Sequence, residues 1–148
     1  MQKILLIFGL LLISFISVNA AEKVIHSYIY HGSKVYDRDH KLIQDIPSSS
    51  GDPIGLFLVA EINGETYVSL SVGEKPAYEF KVQLSKNYNE NDGSHIDVYA
   101  GAMQVEEQIV PLQVFVCFSK SVIPDVIIVD VLKSPTLIEF NRLVKAGH

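Results

Sequence analysis

The sequence predicts a mainly β protein: an antiparallel β-sandwich, or a partly open barrel, of about seven or eight short strands with one C-terminal α-helix. Three observations support this fold class. Runs of β-branched and aromatic residues alternate with polar residues along most of the chain. Glycine, proline, asparagine and aspartate separate these runs about every 8 to 12 residues, as in all-β folds. Segment 135–145 has the clearest helical spacing of apolar residues, while segment 101–110 is ambiguous because Ala102, Val105 and Ile109 also suit a helix.

The clearest element is a β-hairpin made of residues 54–62 and 65–73, joined by Asn63 and Gly64. Asn-Gly favours a two-residue type I′ turn, because both turn residues need a positive φ. A two-residue loop fixes the register, so that residue 62 lies opposite residue 65. The predicted inward face is Phe57, Val59, Val68, Leu70 and Val72.

Two strands are predicted before this hairpin. Residues 23–31 are rich in β-formers, with Ile25 and Ile29 on one face and the larger polar and aromatic side chains on the other. Residues 41–46 form a weaker strand. The serines, glycine, aspartate and prolines of 47–53 then predict a loop.

Two further strands flank a polar segment after the hairpin. Residues 78–84 alternate apolar and polar side chains, which indicates a half-buried strand. The polar stretch 85–94 is predicted to be a mobile loop. Residues 95–100 resume as a strand. In this strand the predicted inward residues are Ile96 and Val98, and the predicted outward residues are His95, Asp97 and Tyr99.

The last part of the chain completes the sheet and adds the helix. Segment 101–110 is predicted to be extended, and 112–118 and 126–132 are apolar runs typical of strands covered on both faces. Ser134 is a good N-cap and precedes Pro135, which suits the first helical position. We therefore expect a helix from about 135 to 145. Its apolar stripe is Leu137, Phe140, Leu143 and Val144.

Residues 1–20 have the pattern of a signal peptide. Lys3 precedes a run of 13 apolar and small residues, and 18–20 offer the small residues that favour cleavage after Ala20. The run is short against the roughly 20 residues of a membrane-spanning helix, so we expect no stable membrane span after signal cleavage. The alternative is retention as an uncleaved anchor. Residues 21–148 are expected to form one domain, exported to the periplasm or secreted by a bacterium.

Charge and cysteine content exclude some classes of function. Loss of Lys3 lowers the number of basic residues from 12 to 11, and against 17 acidic residues the net charge becomes −6. Nucleic-acid binding requires a basic surface, so it is disfavoured. Cys117 is the single cysteine. It forms no intrachain disulfide, and its apolar neighbours predict an inert thiol.

Four residues near the N-terminus are candidates for binding a protein partner. They are His26, Tyr28, Tyr30 and Tyr36. Tyrosine provides contact area with few rotatable bonds and a polar tip. If the first strand lies at a sheet edge, a partner can add its own strand there. We therefore expect an interaction or adaptor module that binds another envelope or secreted protein. The competing explanation is that these tyrosines cover the core with their hydroxyls in water.

Segment 87–97 is a candidate site for a small ligand, a sugar or Ca²⁺. Oxygen-bearing side chains alternate before Gly93, which resembles the first half of a calcium loop. The glycine comes one residue late, however, and Val98 stands where a bidentate glutamate is needed. A solvated hairpin loop explains the same composition. The candidate ligand-binding residues are Asn87, Asn89, Asn91, Asp92, His95 and Asp97.

The sequence contains no familiar catalytic or cofactor motif. Gly-x-Ser-x-Gly, His-Glu-x-x-His, Cys-x-x-Cys and Gly-rich phosphate loops do not occur in it. His95 and Asp97 are two apart on one strand face, which leaves a hydrolase as a third hypothesis. Our expectation is a protein that is not an enzyme and has no cofactor.

Overall fold

The structure is a computed structural model that describes residues 22–47, 51–73 and 75–146. The expected signal segment 1–20, with its cleavage after Ala20, lies outside the described residues. The described residues form nine strands and are mainly β. The strands are β1 (Glu22–Asp37), β2 (Leu42–Pro47), β3 (Gly55–Ile62), β4 (Glu65–Val72), β5 (Lys75–Asn89), β6 (His95–Val105), β7 (Gln108–Phe118), β8 (Val126–Val131) and β9 (Thr136–Lys145).

The strand pairings close into a ring. Strands β3 to β9 pair as consecutive antiparallel neighbours, and β1 pairs with both β3 and β9. These eight strands form a closed barrel. The extra strand β2 pairs with the second half of β1, beyond the start of β3. Because neighbours are antiparallel, β1, β4, β6 and β8 all finish at one end of the barrel, which we call the upper end. The opposite end is the lower end.

The predicted hairpin is confirmed. Asn63 and Gly64 have φ angles of 52° and 80°, as a type I′ turn requires. Ile62 pairs with Glu65, and the register that follows from this pair is also as predicted. Among the predicted inward side chains only Val72 is mainly exposed, because β4 ends there at the upper end. Local turn chemistry therefore determined this part of the sheet.

The predicted helix at 135–145 is wrong. These residues form β9, which pairs with β8 and β1 and so closes the barrel. Phe140 and Leu143 both belong to the core, although residues three apart on a regular strand face opposite sides. Arg142 between them has a φ of 50°, and this irregularity reverses the alternation. Apolar residues at i and i+3 can therefore face the same side of an irregular strand, and here this spacing resembles that of a helix.

Two predictions about the region from β5 to β6 are also wrong. The first half of the predicted mobile loop 85–94 is strand, since β5 continues to Asn89, and only 90–94 form the connection to β6. The predicted faces of β6 are reversed, because Tyr99 lies in the core and Asp97 is buried with it. Val98 is only 3% exposed on the other face. When both faces of a strand are covered, alternation does not identify the inner one.

The core fills the barrel between its two ends. The strands predicted at 112–118 and 126–132 are confirmed within β7 and β8, and both contribute to it. No helix in the described ranges is long and apolar enough to span a membrane. An eight-stranded barrel has room inside for side chains or for one small ligand. The most deeply buried large side chains are Tyr30, Phe57, Val59, Val68, Leu112, Val114, Val116 and Ile127.

Candidate functional site

An apolar cavity, which we call the cup, lies at the upper end of the barrel. Its volume is about 350 Å³. Among the residues that the structure describes, fourteen line the cup: twelve are aliphatic, Met or Phe, the other two are Tyr30 and Ser33, and none is charged. The lining residues are Tyr30, Ser33, Val35, Ile46, Ile54, Leu70, Val72, Phe80, Met103, Leu112, Val129, Val131, Ile138 and Phe140.

Strand alternation builds the wall of the cup. Residues two apart on one strand face the same side, and β8 contributes Val129 and Val131 in this way. Charged neighbours on the same strands therefore point outward. Asp130 lies between these two valines, and its carboxylate is 2.7 Å from the guanidinium of Arg38 rather than in the cup. The wall is thus apolar although charged residues are close in sequence.

Two aromatic rings form much of the floor. The rings of Tyr30 and Phe140 have centroids 4.6 Å apart at an angle of 57°. The hydroxyl of Tyr30 donates a 2.7 Å hydrogen bond to the carbonyl of Ser71. Gly55 lies opposite Tyr30, and a β-carbon there would collide with the Tyr30 ring and the Ser71 carbonyl. Burial raises the pKa of Tyr30 to about 12, so the floor carries no charge at neutral pH.

The rim of the cup is apolar and open to solvent. Ile46, Val72 and Ile138 line the cup and are 41%, 54% and 36% exposed. One side of the wall is also divided, because the described pairing of β5 with β6 starts at Val82 and Gly101 and runs toward the lower end. Above these residues the two strands separate. The cup therefore combines an apolar interior with an accessible entrance.

A polar cluster lies inside the barrel at the lower end. The Nε2 atom of His26 is 3.4 Å from a carboxylate oxygen of Asp97, and its Nδ1 atom is 3.1 Å from the hydroxyl of Tyr28. The side chain of Asn87 donates a short hydrogen bond to Asp97. The side chains of His26 and Asp97 are 10% and 13% exposed. Phe118 packs against the ring of His26, with centroids 5.9 Å apart.

Burial controls protonation in this polar cluster. It lowers the pKa of His26 below the usual 6.5, against the opposing effect of the Asp97 charge. It also raises the pKa of Tyr28, and that of Tyr99 to about 12. At neutral pH the imidazole is therefore neutral and both phenols are protonated. The cluster is therefore a hydrogen-bonded polar part of the barrel interior.

The candidate partner-binding residues are not exposed as predicted. Tyr28 and Tyr30 are 6% and 1% exposed and belong to the core, and His26 is nearly buried. Tyr36 is half-buried and lies between Leu42 and Leu137 of the neighbouring strands. The prediction of an edge strand here is wrong, because β1 pairs on both sides. The side chains of Tyr28 and Tyr30 point inward rather than to solvent.

The candidate ligand residues of segment 87–97 mostly bond to one another. The side chain of Asn89 donates to Asn87 at 2.7 Å, and Asp92 accepts from the backbone and hydroxyl of Ser94. Asn91 is exposed in the same turn. Within the described residues no cluster of three or more His, Cys, Asp or Glu side chains is placed to hold a metal ion.

His95 and Asp97 were the candidate residues of a hydrolase site. In the structure their side chains have different partners. Asp97 lies beside His26, while the ring of His95 stacks on Phe118 with centroids 4.2 Å apart. His95 instead lines a groove of about 380 Å³ at the lower end, together with polar residues such as Glu90 and Ser94. Cys117 borders this groove, and burial raises the pKa of its thiol.

Comparisons with protein families, with curated proteins and with solved structures gave no match for this chain. The site is therefore defined by its geometry. The cup was missed by the sequence analysis, which read residues such as Leu70, Leu112 and Val129 only as core. The one available signal was the high apolar content of the strand ends at the upper end, including Val72 and Val131.

Proposed function

We propose that this protein binds an apolar small molecule in the cup. The observation that supports this proposal is the uncharged lining of a cavity of about 350 Å³. A cavity with so few polar groups offers water too few hydrogen bonds, so an apolar ligand competes well for it. Binding pockets for small molecules commonly start at this size and are mostly apolar.

The size of the cup sets the size of the ligand. An apolar cavity of about 150 Å³ holds benzene, so the cup has room for roughly 14 non-hydrogen atoms. Each Å² of apolar ligand surface removed from water contributes about 25 cal/mol. A ligand of two or three fused or linked rings, or a chain of about ten carbons, fits these limits.

Titration with 1-aminoanthracene, a neutral fluorescent probe, tests the proposal. We expect saturable fluorescence enhancement with residues 21–148. The variant Ile138→Trp fills the cup and should weaken binding about fivefold or more, as expected for overpacking. Its matched control is Ile109→Trp, because Ile109 is 75% exposed and lies outside the cup lining. Absence of saturable binding, or equal losses in both variants, would contradict the proposal.

A second candidate function, binding of a protein partner, is favoured by strand β2. Strand β2 pairs with β1 along one edge, and no pairing along its other edge is described. Leu42 and Ile43 on β2 are 47% and 57% exposed. A free edge with apolar side chains can accept a strand from another protein. This proposal keeps the adaptor function and moves its binding face from β1 to β2.

Matched aspartate variants test the adaptor proposal. We expect Ile43→Asp to abolish cross-linking to a stoichiometric envelope or secreted partner. Val122→Asp should leave it unchanged, because Val122 is 87% exposed at the lower end. Equal cross-linking of both variants would count against a docking site on β2. Export itself remains a proposal based on residues 1–20, and N-terminal sequencing of exported protein tests cleavage after Ala20.

A further inference from the structure

We propose that the cup selects neutral ligands and rejects carboxylates of the same size and chain length. The inference rests on the proposed function and specifies the ligand class: a medium-chain alcohol, ester or similar uncharged molecule. The shape of the cup alone would admit a fatty acid equally well. The distribution of charge around the cup separates the two classes.

The described lining of the cup offers no positive group to a carboxylate. It contains no lysine or arginine, and its polar side chains are those of Tyr30 and Ser33. The Tyr30 hydroxyl is already used by the carbonyl of Ser71. An ionised group without a partner in such surroundings loses hydration that nothing replaces.

Arg38, a basic residue that directly follows β1, is held by other groups. Arg38 donates to the carboxylate of Asp130, to the carbonyl of Val131 and to the carbonyl of Ser134, at 2.7 Å in each case. These contacts direct its guanidinium to the outside of β8. If the guanidinium moved to a ligand, Asp130 would lose the ion pair that is described for it.

Two described charges beside lining residues of β1 and β9 lie on the outer surface. Lys34 falls between Ser33 and Val35, which both line the cup, so its own side chain points outward. It borders an outer groove together with Glu139. Glu139 lies in the same way between two lining residues of β9. A carboxylate inside the cup therefore meets apolar wall in every direction along these strands.

The rim does not compensate for the interior. Ile46, Val72 and Ile138 surround the entrance. A ligand of about ten carbons occupies most of the cup, and its polar end loses least hydration when it lies at this apolar rim. A hydroxyl tolerates that position with partial access to water, whereas a carboxylate loses much more hydration. Carboxylates should therefore bind mainly in their protonated form, and their affinity should fall about tenfold per pH unit above their own pKa.

Displacement of bound 1-aminoanthracene by 1-decanol and by decanoate at pH 8 tests the inference. We expect decanol to displace the probe at a concentration about tenfold or more below that of decanoate. Equal displacement by the two would overturn the selectivity while leaving the cup as a binding site. If the probe does not bind at all, the proposed function fails instead.

A variant with an added charge tests the physical cause. Val72→Arg places a guanidinium at the rim, where the native side chain is 54% exposed. We expect decanoate affinity to rise about fivefold or more in this variant, as for a partly exposed ion pair. The matched control is Val122→Arg, which adds the same charge at the lower end and should change nothing. If Val72→Arg binds decanoate no better than this control, the lack of a positive partner is not the reason for the selectivity.

Discussion

Replacing Tyr30 by phenylalanine tests whether the role of its phenol in the cup is structural. The ring is 1% exposed and packs on Phe140, so Tyr30→Phe keeps the apolar packing. The change removes the hydrogen bond to the carbonyl of Ser71 and leaves that acceptor without its donor. A hydrogen bond of this type contributes about 1 kcal/mol, and a buried unpaired acceptor costs about 1–3 kcal/mol. We expect a loss of about 1–2 kcal/mol, since the carbonyl lies near the rim and regains some water.

This loss converts into a measurable change in melting temperature. For residues 21–148 the entropy of unfolding is about 0.27 kcal/mol per degree, from about 2.1 cal/mol/K per residue. Tyr30→Phe should therefore lower Tm by about 4–7 °C in circular dichroism. Tyr88→Phe is the control, because Tyr88 is 47% exposed. Affinity for 1-aminoanthracene should stay within about twofold. A Tm equal to that of the control, or loss of probe binding, would refute a purely structural role for the hydroxyl.

Three further predictions concern stability. Gly55→Ala should lower the free energy of unfolding in urea by about 2–3 kcal/mol, because the new β-carbon meets the Tyr30 ring and the Ser71 carbonyl. An unchanged urea midpoint would contradict this close packing. Burial lowers the pKa of His26, so the unfolded chain takes up its proton first and stability should fall as pH drops below about 6.5. His26→Gln should reduce this loss between pH 7 and pH 5, and an identical pH profile would exclude His26 as its source. Burial raises the pKa of Glu79 from 4.5 to about 7. The contribution of this carboxyl to folding stability is therefore fully present below pH 4.5 and is lost as pH rises through 7. Glu79→Gln should raise stability at pH 8 by about 1 kcal/mol, a value reduced for partial solvent access, with little effect at pH 4.5.

The parts of the fold that local chemistry specifies were predicted from the sequence. The Asn63-Gly64 turn sets its own register. A type I′ turn needs a positive φ at both central residues, and Asn and Gly are the residues that adopt it most easily. The apolar strands around Val114 and Ile127 were identified by their composition. Such features depend on a few neighbouring residues, and the rest of the barrel does not change them.

Features set by distant contacts were not predicted. Strand β1 looked like an edge strand, but β9 pairs with it from more than a hundred residues away in the chain. That pairing turns Tyr28 and Tyr30 into core residues and places His26 beside Asp97. The same pairing requires β9 to be a strand, although Phe140 and Leu143 have helical spacing. A single long-range contact thus decided both the topology and the environment of the candidate residues.

The cup itself cannot be read from alternation, for a physical reason. An inward-facing Val or Leu has the same place in the period-2 pattern whether it meets another side chain or an empty space. The difference depends on how the strands spread at the upper end. There β5 separates from β6 above Val82 and Gly101, and β2 extends the wall with Ile46. Because the wall is uncharged, its apolar surface is stabilised either by collapse or by a ligand. The strands that frame the cup are held by their pairings, so we favour the ligand.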